Sequence, residues 1–105
     1  MNVFGQVETL LPFDAFARIF DHAGWHTNVG RYSVRVSGPL GDYKFVHNGG
    51  EYFLEDGIDA ADVLAAARSL SALLSSHGLR HRFEIYEEND RLVLYLHHNW
   101  PCTLD

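Results

Sequence analysis

Apolar residues in this chain recur at two spacings, one helical and one alternating, and the change from one to the other marks out the elements. Phe13, Phe16, Ile19 and Phe20 form an apolar stripe at helical spacing, which predicts a helix from Pro12 to Ala23. Pro12 suits a first turn, Gly24 suits the position just past the last one, and Trp25 can then fold back on Phe20. A second helix is predicted from Ala60 to His77, with Val63, Leu64, Ala67, Leu70 and Leu74 as its buried stripe. Asp59 is its expected N-cap, and Ile58 and Val63 stand where a hydrophobic staple would. Gly78 ends this helix, and Leu79 can close back on Leu74.

Between the helices the period drops to two. Tyr32, Val34 and Val36 alternate with Ser33, Arg35 and Ser37, and the Ser37–Asp42 segment reads as a turn. Tyr43, Phe45 and His47 then share a face, Asn48-Gly49 signals a hairpin, and residues 51–55 return as a third strand. Residues 2–8 can add one more strand at the start.

The segment from Leu79 to Pro101 reads as a C-terminal hairpin whose register follows from its alternation. Pairing His81 with His98, Phe83 with Leu96 and Ile85 with Leu94 gives one face, which Leu92 and Trp100 extend. The other face then pairs Arg82 with His97, Glu84 with Tyr95 and Tyr86 with Val93. A one-residue slip would set Glu84 against Leu94 and mix the two faces. The tip is Asn89-Asp90 or a longer loop across residues 88–91. The order (β)αβββαββ predicts one α+β domain over residues 1–105, with a mainly antiparallel sheet of five or six strands and two helices on one face.

Composition narrows the function. A length of 105 residues with 47% hydrophobic content supports one core. No apolar run is long enough for a membrane span, and the first residues lack the pattern of a secretion signal, so a cytoplasmic protein is expected. The single cysteine, Cys102, excludes an internal disulfide framework. The net charge of −6 opposes nucleic-acid binding; it serves solubility and permits a protein partner with basic surface.

Seven histidines raise the question of a metal. His22 with His26, and His77 with His81, have the spacing of a helical ligand pair, but Gly24 and Gly78 end the helix inside each pair. His22 and His77 instead suit helix C-termini. The sharper arrangement is His81 opposite His98 with Cys102 beyond, which would offer zinc three ligands. The expectation is that no cofactor is bound and that His81 and His98 border the core. Trp100 is expected to fill the end of the core; the alternative is a recognition patch with Arg80, Arg82, His97 and His98. Glu84, Glu87, Glu88 and Asp90 form an acidic group along the hairpin, and Glu55, Asp56, Asp59 and Asp62 another near the second helix.

No phosphate-binding loop, dinucleotide fingerprint or nucleophile elbow is present, so a non-catalytic role is expected. In size, charge and lack of a catalytic motif the chain resembles small bacterial binding proteins, such as immunity proteins that neutralise toxins and phage-encoded inhibitors. The resemblance implies an acidic protein-binding or inhibitor module in the cytoplasm; from the hairpin itself, the residues expected to bind are Arg80, Arg82, Glu84, Glu87, Glu88, His97 and Trp100. The alternatives are a metal- or small-ligand-binding domain around His81, His98 and Cys102, and a homodimer paired through an open sheet edge.

Overall fold

A computed structural model describes residues 1–100; Cys102 and its neighbours lie outside the described residues. The chain forms β1 (Asn2–Glu8), α1 (Phe13–His22), β2 (His26–Val29), β3 (Ser33–Ser37), β4 (Asp42–Asn48), β5 (Glu51–Asp59), α2 (Val63–Ser76), β6 (Arg80–Tyr86) and β7 (Leu92–His98). The α+β class is as the sequence predicts. The sheet, however, has seven strands rather than five or six, in the antiparallel order β2-β3-β4-β5-β1-β6-β7.

One strand, β2, accounts for the seventh. β2 is a short polar strand, His-Thr-Asn-Val, whose four residues are too few to show an alternation. β1, the optional first strand of the expectation, is an interior strand, fifth in the order, pairing Val7 with Tyr52 on one side and with His81 on the other. Gly5 permits this position. A Cβ there would sit 2.5 Å from a ring carbon of Phe83 and 3.0 Å from the Cβ of Leu54.

Both helices lie on one face of the sheet. Phe16 of α1 stacks on Tyr52 at a centroid distance of 4.0 Å and meets Phe45 edge-on at 5.3 Å. Ala66, Ala67, Leu70 and Leu74 of α2 join Val7, Phe83 and Ile85 in the same core. Two buried tyrosines tie the sheet to the helical layer: Tyr43 donates to the Ala66 carbonyl at 2.7 Å, and Tyr52 donates to the Leu11 carbonyl just ahead of α1. Burial first, then the nearby Asp42 and Asp14 carboxylates respectively, push both phenols up to about 12, so they remain donors.

The helix ends differ in detail from the sequence reading. Pro12 is the residue before α1, not its first turn. α1 closes as expected: Gly24 adopts a φ of 81°, Trp25 N–H reaches the Phe20 carbonyl at 2.9 Å, and the Trp25 ring lies 5.7 Å from that of Phe20. α2 starts three residues later than expected and is capped by Asp62, which accepts from Ala65 N–H at 3.1 Å. Asp59 is still in β5, because Ile58 is a buried sheet residue paired with Tyr43 and holds the chain extended. β5 likewise runs past Glu55, with Asp56 and Gly57 both at positive φ, as an outward jog between the pairs Phe45–Leu54 and Tyr43–Ile58. Tyr32 is not in a strand; it is 72% exposed ahead of β3. The β4–β5 turn is Gly49-Gly50, both at positive φ, rather than Asn48-Gly49.

The C-terminal hairpin has the expected register from His81–His98 to Ile85–Leu94. It then shifts, so that Tyr86 faces Leu92 instead of Val93, which becomes the extra residue of a bulge. The loop runs from Glu87 to Arg91, closed by Asp90 N–H to the Glu87 carbonyl, with Asp90 at a φ of 63°.

Two substitutions test this account. Gly5→Ala forces Phe83 out of place and should destabilise by about 1–3 kcal/mol in urea unfolding. Asp62→Ala should cost about 1 kcal/mol, whereas Asp59→Ala should not lower stability, because Asp59 caps nothing.

Candidate functional site

The helices leave the other face of the sheet uncovered, and its side chains can be read off the strand register. One row crosses the sheet from β3 to β7 as Ser33, Val46, Phe53, Gln6, Arg82 and His97. A second row runs Asn48, Glu51, Glu8 and Arg80. Phe4 and Glu84 face each other beside the first. All these positions alternate with core residues, so they belong to the open face.

Arg82 is the centre of this face. Its Nε and Nη2 donate to Gln6 Oε1 at 3.3 and 3.2 Å, and its Nη1 lies 3.5 Å from a Glu84 carboxylate oxygen. Gln6, only 8% exposed, donates its amide nitrogen to Glu51. Tyr86 donates its hydroxyl to Glu84, and this bond is the first cause of the raised Tyr86 pKa. The polar chain Glu51–Gln6–Arg82–Glu84–Tyr86 thus crosses β5, β1 and β6. The guanidinium carbon also lies 5.3 Å from the Phe4 ring centroid and 4.9 Å from that of Trp100. Arg80 stands 4.7 Å from the Trp100 ring and 3.5 Å from Glu8.

Trp100 therefore does not fill the end of the core. Strict alternation would put it on the His98 side, but Asn99 takes a φ of 55° and turns the chain over. The indole lands beside Arg80 and Arg82 on the open face. Of the residues expected to bind, Arg80, Arg82, Glu84 and Trp100 are brought together here. His97 is in the same row as Arg82, its ring stacked 5.1 Å from that of Tyr95. Glu87 and Glu88 are elsewhere, at the hairpin tip, where Glu87 pairs with Arg91 at 2.7 Å. The sequence reading missed Phe4, Gln6 and Glu51, although the alternation of Val3, Gly5 and Val7 with Phe4, Gln6 and Glu8 marked an aromatic on the polar side.

The other half of the open face carries a groove lined by Arg35, Asp42, Lys44, Glu55, Asp56 and Asp59. Lys44 pairs with Glu55 at 3.2 Å. Asp42 and Asp59 are directly opposed on adjacent strands, and neither forms an ion pair among the described residues. Like charges so placed repel.

The histidine pair lies on the helix side. His81 is fully buried, and both ring nitrogens are engaged: Nδ1 donates to the Leu79 carbonyl at 2.8 Å, which leaves Nε2 to accept from the Ser71 hydroxyl at 2.7 Å. His98 is half-buried, its ring parallel to that of His81 at 6.1 Å. A metal on His81 would have to displace one of these bonds. Among the described residues no group of three or more His, Cys, Asp or Glu side chains could hold a metal ion. No described helix is long and apolar enough to cross a membrane.

No family model matches the chain, and neither a curated protein nor a solved structure is similar to it.

Burial lowers the pKa of His81 below its ordinary 6.5; the Leu79 carbonyl opposes this, and the His98 and His97 charges add to it. The unfolded chain takes up a proton near 6.5 that the folded chain refuses. The neutral ring's contribution is therefore full above that value and is lost as pH falls below it. Urea unfolding about one unit above and one unit below this value should show a loss of stability in acid. His81→Asn should be less stable near neutrality and lose less on acidification; an unchanged pH slope would assign the acid loss to other groups.

Proposed function

We propose that this chain is a non-catalytic protein-binding or inhibitor module of the cytoplasm, and that it binds its partner with the uncovered face of the sheet. The observation that carries this reading is the fixed Arg82 guanidinium, held between Phe4 and Trp100 by partners on neighbouring strands. Arginine and tryptophan dominate protein interfaces when they are preorganised, because little freedom is left to lose on binding. Phe4, 41% exposed, adds apolar area beside them.

The charge supports a basic partner. Asp42 and Asp59 weaken the β4–β5 ladder while apart from a partner, and a lysine or arginine laid between them would offset the repulsion. The net charge of −6 favours the same partner over distance.

Two classes of variant test the reading against a partner captured from cytoplasmic extract and then titrated as purified protein. Asp42→Asn or Asp59→Asn should raise stability by about 0.2–1 kcal/mol and yet weaken binding. Trp100→Ala should weaken binding by at least about tenfold, as an interface anchor would, with little change in stability. Binding that survives both changes, or capture that no salt concentration alters, would reject the open face as the site.

A further inference from the structure

His81 is the one histidine among the described residues that is fully buried, and no described carboxylate forms an ion pair with it. Three elements pack against its ring. β1 brings Val7, its partner in the ladder; α2 brings Ser71, whose hydroxyl holds Nε2; β7 brings His98, whose ring lies parallel to it. Arg68 of α2, and His77 just past its end, are exposed. Glu8 and Glu84 stand on the open face and are taken up by Arg80 and Arg82. The charges that act on His81 are those of His98 and His97, and both oppose a proton there. A charged His81 is therefore stabilised only by water.

His98 stands between this ring and the edge of the sheet. β7 is an edge strand, and His81–His98 is the last pair of its ladder with β6. Asn99 then leaves the strand at a φ of 55°, and Trp100 crosses to Arg80 and Arg82. The end of an edge ladder opens at less cost than the packed elements around it. α2 is anchored in the core by Leu70 and Leu74, and β1 is paired on both sides.

We propose that the His81–His98 pair is an acid-sensitive latch on the Trp100 surface: a proton on His81 opens the end of β7 and carries Trp100 away from Arg80 and Arg82. Opening gives the ring back its ordinary affinity for a proton, whereas the closed form holds that affinity below 6.5. Opening is therefore insensitive to pH above that value. Below it the open form gains up to about tenfold for each unit of pH, until the closed form takes the proton as well. The loss of a binding anchor that follows rests on the open-face reading given above.

Nuclear magnetic resonance of the whole protein reads both parts of the latch. The ring nitrogens of His81 report its own proton, and the indole N–H of Trp100 reports where that ring sits. Trp25, packed between Phe20 and Tyr43, is the internal control. On acidification below 6.5 the Trp100 signal should shift at the midpoint of the His81 titration, while Trp25 and the amides of β3 and β4 stay unchanged. His81→Gln cannot take the proton and should keep Trp100 in place over the same range; if that variant does not fold, the two midpoints in the native chain decide. The proposal is overturned by a Trp100 that stays put while His81 titrates, that shifts at another pH, that moves only as the whole chain unfolds, or that still moves in His81→Gln. Affinity for the captured partner should fall at least about tenfold over the same range. A displaced Trp100 with affinity unchanged upholds the latch and rejects the open face as the binding site.

Discussion

The insertion of β1 between β5 and β6 is the constraint on which this structure depends. Without it the sheet would fall into two antiparallel units, β2–β5 and β6–β7, bridged by α2, whose Ala66 carbonyl accepts from Tyr43 of β4. β1 joins them by pairing with both, and it can do so because Gly5 leaves room for the Phe83 ring where any side chain would collide with it. The consequence reaches the other face of the same strand. Phe4 and Gln6 stand between the two units, so the Arg82 cluster gathers residues nearly eighty positions apart in sequence only when β1 is in place. Fold and site share one joint.

Burial is one-sided, and the polar groups on the buried side are all answered. Tyr43, Tyr52 and His81 each carry a polar atom into the core, and each finds a carbonyl or hydroxyl there. No buried side-chain nitrogen or oxygen among the described residues lacks a partner. Such groups cost far more unpaired than they contribute when paired. They therefore favour one seating of each helix over any other. The open face obeys a different logic. Its long side chains cover one another, Gln6 and Glu84 beneath Arg82 and the aromatics, and the result is a fixed surface that still presents rings and charges outward.

What the sequence made legible was whatever a short-range period controls. The hairpin register, the two helical stripes and the closure of α1 by Gly24 and Trp25 all follow from neighbours in sequence. The departures arise where one backbone angle or one distant contact overrides the period. Asn99 in the left-handed region sends Trp100 to the face opposite the one alternation implies. Ile58, buried against the sheet, keeps Asp59 extended and passes the cap to Asp62. The Asp56-Gly57 jog did have a local signal, since an Asp-Gly pair marks turns, but it sits inside a strand. β1 was readable as a strand and not as an interior one between β5 and β6, because nothing in seven residues says what lies on either side.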